Sequence, residues 1–272
     1  MLNLRSDTLL SNGTNLHYYR TGSGTRPLVM AHGITDDSLC WSSVAEALAD
    51  RYDIYMVDAR GHGKSEAPED GYQLENLARE LAALIQGLGL EKPILLGHSM
   101  GAVTSLVLAS LFPDLPRAIL LEDAPPFWRH DPNDPKGIET RKALAAWIHS
   151  IKRKTKEELM AEAEAKNWTA ADRAFWVDAK QRVSLRVTGL IAPSDIIPLG
   201  LSNLIPNIQC PALFLQTDVA KGAVASSEDI AALRSLLPSL QVAYIPDASH
   251  SIRRTQFALY MKAVEEFLSQ LN

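Results

Sequence analysis

Short apolar runs alternate along the chain with longer stretches whose apolar residues recur every three or four positions, the signature of strands alternating with amphipathic helices. The runs at 16–20, 27–31, 53–57, 93–96, 118–121, 212–216 and 241–245 predict strands. Several are continuous Val/Ile/Leu, as strands covered on both faces require. Helices are predicted over 74–88, 100–111, 227–236 and 253–271. In the last of these, Phe257, Tyr260, Met261, Val264, Phe267 and Leu268 fall on one stripe. The pattern predicts an α/β fold with a mostly parallel central sheet flanked by helices.

The alternation stops between about 125 and 198. That segment opens with Pro125-Pro126 and a turn-prone stretch from Asp131 to Pro135, then turns helical without a strand run of its own. Thr155 with Glu158 fits a capping box, and Thr169 with Asp172 marks a second helix start. Residues 126–198 are therefore expected to form a helical cap, or lid, on a core made of 1–125 and 199–272. Inserted after a strand's carboxyl end, it would cover the usual ligand crevice of an open α/β sheet.

Chemistry concentrates at Pro93-Ile94-Leu95-Leu96-Gly97-His98-Ser99-Met100-Gly101, which reads as strand, G-x-S-x-G, then apolar helix. A serine on so sharp a strand-to-helix turn projects its hydroxyl above the sheet, and glycines at 97 and 101 remove side chains that would collide. The positive end of the following helix favours an oxyanion. With Ala31-His32-Gly33-Ile34, the Asp58 to Ser65 stretch DARGHGKS and Pro246-Asp247-Ala248-Ser249-His250-Ser251, the sequence resembles the α/β-hydrolase superfamily over nearly its whole length.

That resemblance implies a site at the carboxyl edge of the sheet, with Ser99 as nucleophile, His250 as base, and the main-chain N–H groups of Ile34 and Met100 as oxyanion donors. His250 also fits on its own terms, lying in a polar loop between the last strand and the C-terminal helix, with an imidazole suited to proton transfer near neutrality. The other histidines have plainer readings. His32, His98 and His62 are expected to pack or hydrogen-bond within their turns, and His17, His130 and His149 have no motif around them. The acid has three candidates. The superfamily's commoner site, four residues into the loop after the strand at 212–216, holds alanine here, with Asp218 nearer the strand end. The alternative site, at the end of the strand after the nucleophile helix, reads Glu122-Asp123. Alternation lets only one of that pair face the histidine. Asp123 is favoured, a placement similar to that of zearalenone-lactonase-type hydrolases, with Asp218 and then Glu122 as alternatives.

Composition narrows the partners. A net charge of −5 over 272 residues gives no attraction for phosphate backbones, so nucleic acid is not expected. Lys152-Arg153-Lys154, soon followed by Glu157 and Glu158, reads as a solvated helix face. The first residues lack a secretory pattern, no run is long enough to span a membrane, and Cys40 and Cys210 form no framework. A cytoplasmic enzyme without membrane association, metal or organic cofactor is expected, its oligomeric state unspecified. The cap is rich in aromatics: Phe127, Trp128, Trp147, Trp168, Phe175 and Trp176. Phe127 and Trp128 directly follow the strand end bearing Asp123 and are the expected substrate contacts, suiting a hydrophobic small-molecule ester or lactone. The alternatives are carbon–carbon bond hydrolysis of a diketone and a non-catalytic ligand-binding scaffold.

Overall fold

The computed structural model describes residues 2–129, 134–166, 168–191 and 200–271. Strands β1 (Arg5–Ser11) and β2 (Thr14–Thr21) form an antiparallel hairpin. There follow β3 (Arg26–Ala31), α1 (Ser42–Leu48), β4 (Tyr52–Val57), α2 (Leu74–Gly87), β5 (Ile94–His98), α3 (Met100–Leu111) and β6 (Ala118–Glu122). Then come α4 (Pro135–Ile151), α5 (Lys156–Glu164), α6 (Ala170–Arg182) and the short α7 (Leu201–Leu204). The chain closes with β7 (Ala212–Gln216), α8 (Ser227–Leu236), β8 (Leu240–Tyr244), α9 (Ile252–Thr255) and α10 (Phe257–Ser269).

The eight strands join in the order β1-β2-β4-β3-β5-β6-β7-β8. The β1–β2 and β2–β4 pairs are antiparallel, and every pair from β4 onward is parallel. Alternation sends Val29, Leu95, Leu121 and Phe214 into a core with α2, α3 and α8. Their neighbours Leu28, Met30, Leu96 and Leu215 enter a second core with α1 and α10. This is the expected α/β fold, with helices on both faces.

Two elements differ from expectation. Strand β1 was not anticipated, because Arg5-Ser6-Asp7-Thr8 is polar and its first four residues are exposed at the sheet's edge. The signal lay in the turn: Asn12 and Gly13 both take positive φ, as a two-residue hairpin loop requires. The single C-terminal helix is instead two, parted at Gln256, and Phe257 stands 39% exposed outside the stripe formed by Tyr260, Met261, Val264, Phe267 and Leu268.

Between β6 and β7 the described residues carry helices and no strand. The Thr155–Glu158 capping box closes in both directions, and the Thr169 side chain accepts from the Asp172 N–H. Ile151, Leu159, Ala163, Trp176 and Val177 give α4–α6 a small core of their own. The basic run 152–154 falls in the α4–α5 turn, where the Lys154 ammonium meets Glu162. His130 and residues 192–198 of the expected cap lie outside the described residues. Among the described residues, no helix is long and apolar enough to cross a membrane.

Candidate active site

The carboxyl ends of β5 and β6 and the loop after β8 bring three side chains to one edge of the sheet. Ser99 sits between β5 and α3 at φ 51°, ψ −114°, a conformation costing an L-residue about 1–3 kcal/mol unless its surroundings impose it. They do. The Ser99 N–H donates to the Glu122 carbonyl at 2.9 Å, and the Gly101 N–H to the His32 carbonyl at 3.0 Å. A Cβ on Gly97 would lie 2.4 Å from the Gly101 carbonyl oxygen, and one on Gly101 2.2 Å from that of Ala31. Both glycines are thus required by close backbone approach.

His250 Nδ1 and Asp123 Oδ2 are 2.6 Å apart. Asp123 is fully buried, while the His250 side chain keeps about a third of its surface exposed. The carboxylate also accepts from the Val224 N–H at 3.0 Å and the Ala225 N–H at 3.2 Å. Those donors come from the loop after β7, where the commoner arrangement would keep the acid itself; here the loop grips a carboxylate supplied by β6. With Nδ1–H given to Asp123, the ring's lone pair is on Nε2. The His98 Nε2–H donates to the His250 carbonyl at 3.0 Å, and the two rings lie 4.6 Å apart. The residue before Ser99 therefore tethers the loop of His250. The Ser99 hydroxyl has no hydrogen-bond partner among the described residues, a common state before substrate binds.

The competing carboxylates are engaged elsewhere. Asp218 is at the surface, accepting from the Tyr244 hydroxyl at 2.5 Å and the Asp247 N–H at 3.0 Å, and those bonds hold it below the usual carboxylate range. Glu122 points to the other face, where it accepts from Arg253 Nη1 at 2.7 Å and the Arg253 N–H at 3.1 Å. Burial raises its carboxyl in spite of Arg253.

The N–H groups of Ile34 and Met100 donate to no protein acceptor among the described residues, Met100 because it opens α3. The Ile34 peptide is fixed by histidines. His32 Nε2 accepts the Ala59 N–H at 3.0 Å, which places the ring proton on Nδ1, donated at 2.8 Å to the Gly33 carbonyl. That carbonyl and the Ile34 N–H belong to one peptide group, so His32 orients the donor directly. His62 Nε2 lies 2.6 Å from the Ile34 carbonyl and Nδ1 2.8 Å from the Arg60 carbonyl. Burial pushes the His62 ring down to about 4, so it is neutral and donates to one carbonyl at a time. Burial, reinforced by Arg253, also holds His98 well below its ordinary value.

Of the two side chains expected to touch substrate, Trp128 is placed otherwise. Trp128 is buried in the core, its indole N–H given to the Asp229 carbonyl at 2.8 Å and its ring edge-on to Phe214. Phe127 is half-buried against the same core. Among the other cap aromatics, Trp147 is exposed, and Trp168 and Trp176 carry cations on their faces, Arg254 at 4.9 Å and Lys180 at 4.7 Å.

Sequence reasoning missed the buried ionic cluster beneath those rings. Lys180, Arg253 and Arg254 surround Asp36, three residues beyond Gly33. Burial alone would raise the Asp36 carboxyl, but Arg254, Lys180 and Arg253 outweigh it and hold the group well below the usual range. No spacing rule joins a lysine at 180 to an aspartate at 36; only the fold does.

A G-x-S-x-G elbow over a mostly parallel sheet, tied through His98 to the loop of a histidine–carboxylate pair, defines the class. The chain belongs to the alpha/beta hydrolase fold family, whose model matches residues 26–252, and it is a hydrolase. It is similar to N-formylmaleamate deformylase of Pseudomonas putida, with 30% identity over 261 residues covering 95% of this chain and 94% of that protein. It is likewise 30% identical over 263 residues to 2-(acetamidomethylene)succinate hydrolase of Mesorhizobium japonicum, covering 90% of this chain and 89% of that protein. The crystal structure of E-2-(acetamidomethylene)succinate hydrolase superposes with a TM-score of 0.81 at 24% identity, over 98% of this chain and 100% of the other.

Proposed function

We propose that the protein hydrolyses a carboxylic acyl bond of a small molecule through an acyl-enzyme on Ser99. The observation that carries this reading is the 2.6 Å contact between His250 and buried Asp123 beside the strained elbow. His250 Nε2 takes the hydroxyl proton as Oγ attacks the carbonyl carbon. Asp123 holds the tautomer and stabilises the imidazolium. The N–H groups of Ile34 and Met100 receive the oxyanion, each such donor being worth about 3–4 kcal/mol. The proton then passes to the leaving group, and water releases the acyl group by the same steps reversed.

The substrate class we first infer is a carboxylic ester or lactone. The inward placement of Trp128 removes one support for a strongly hydrophobic substrate. A second reading, an N-acyl amide bearing carboxylates, is favoured by the names of the two relatives matched along nearly their full length. One experiment separates these readings and tests the proposal. Wild type and Ser99→Ala are reacted with a fluorophosphonate probe, then assayed on a panel of p-nitrophenyl esters, lactones, N-formyl and N-acetyl enamides of dicarboxylic acids, and vinylogous diketones. Labelling confined to wild type, with turnover of an ester, lactone or amide, is expected. A wild type that neither labels nor turns over any of them contradicts the proposal and leaves a binding scaffold.

A further inference from the structure

The three consecutive carbonyls of the oxyanion turn each face a different side chain: His32 at Gly33, His62 at Ile34 and Lys180 at Thr35. The third comes from the cap. Lys180 is 1% exposed, with Nζ 2.9 Å from the Thr35 oxygen and 3.1 Å from Asp36 Oδ1. The Thr35 carbonyl shares its peptide with the Asp36 N–H, which donates to the Gly33 carbonyl at 3.0 Å. The Gly33 carbonyl in turn shares its peptide with the Ile34 N–H. A continuous line of donors and acceptors thus runs from a lid ammonium, through two peptide groups, to the oxyanion donor.

We propose that Lys180 is a positioning residue for the oxyanion hole, holding and polarising the Ile34 N–H from the cap through the Thr35–Asp36 and Gly33–Ile34 peptides. Donation to a peptide carbonyl strengthens donation from the N–H of the same peptide, and in a low-dielectric site a charge at the head of such a chain strengthens it most. The arrangement is rigid because Asp36 is also paired with Arg254 at 3.2 Å, and because α6 is tied next to it by Arg182 to Asp37 at 2.6 Å. The hole is therefore complete only with the cap seated. An ammonium that acts along this line does so on the developing oxyanion and leaves ground-state binding little changed.

The inference rests on the acyl-enzyme reading, and the test keeps the two apart. Lys180→Met removes the ammonium, and with it the cation on the Trp176 ring, while Asp36 retains both arginines. With p-nitrophenyl acetate, kcat is expected to fall about tenfold or more while KM stays within about twofold, the mark of an interaction made in the transition state. Inhibition by phenylboronic acid, whose serine adduct places an oxygen in the hole, is expected to weaken by a similar factor. Lys180→Arg restores most of the loss and Lys180→Gln less; Lys180→Gln replaces the methionine variant if circular dichroism shows the latter unfolded. A folded Lys180→Met with kcat within twofold of wild type, or with a raised KM alone, overturns the inference and leaves the hydrolase intact. A wild type unreactive toward both p-nitrophenyl acetate and fluorophosphonate overturns both.

Discussion

The Asp123 carboxylate is fully buried, and three donors meet it: the His250 ring and the N–H groups of Val224 and Ala225. A carboxylate so held can fix an imidazole tautomer without shifting as charge develops on the ring. Asp123→Asn keeps the shape but offers its neighbours an amide, and kcat on an ester substrate is expected to fall by roughly 10³–10⁴. Asp218→Asn, which only loosens the contacts to Tyr244 and Asp247, is expected to stay within a few-fold of wild type. Loss of turnover in the second variant and not the first contradicts the assignment. His62 makes a different demand. Burial lowers its folded value from 6.5 to about 4, so folding favours the neutral ring. The stability it contributes is complete above about pH 6.5 and is lost as pH falls through about 4, a span worth about 3 kcal/mol. Melting temperature measured across that window is expected to drop toward acid and to drop less steeply in His62→Gln; equal slopes refute the linkage.

Elements differ in how openly the sequence declares them. The buried parallel strands are legible because both faces are apolar, and the elbow is legible because close backbone approach admits only glycine at 97 and 101. Gly101→Ala, whose Cβ would meet the Ala31 carbonyl oxygen, is expected to cost about 1–3 kcal/mol in urea unfolding, or more where the turn cannot relax. An unchanged midpoint contradicts that packing. The edge strand β1 was hidden by its polar, exposed face. The acid was half-hidden: the sequence offers Glu122, Asp123 and Asp218, and only the reach of His250 across β6 and β7 separates them. Lys180 was fully hidden, since a lone lysine in a cap helix reads as surface until α6 is laid over the oxyanion turn.

At the scale of the molecule, the helices between β6 and β7 join the sheet both through apolar contacts, with Trp128, Ile148, Val187, Leu190 and Ile191 in one cluster with α2 and α3, and through charge, with Lys180 and Arg182 paired to Asp36 and Asp37. Glu122 and Arg253 tie the end of β6 to the helix following His250, and Arg253 lies over the Trp41 ring at 4.2 Å. Removing one partner of a buried pair strands the other, so Arg253→Met is expected to destabilise by about 3–5 kcal/mol, read by denaturant unfolding. A loss under about 1 kcal/mol would show the pair to be replaceable. The central claim is the covalent one: a hydroxyl held in a strained turn accepts an acyl group with the help of a ring from the far end of the chain. The most direct measurement is mass spectrometry of the protein quenched in acid during turnover of p-nitrophenyl acetate, followed by peptide mapping. One acetyl group on the peptide containing Ser99, absent from Ser99→Ala and strongly reduced in His250→Gln, is the predicted result. Turnover with no acyl group on that peptide, or with the group on another residue, contradicts it.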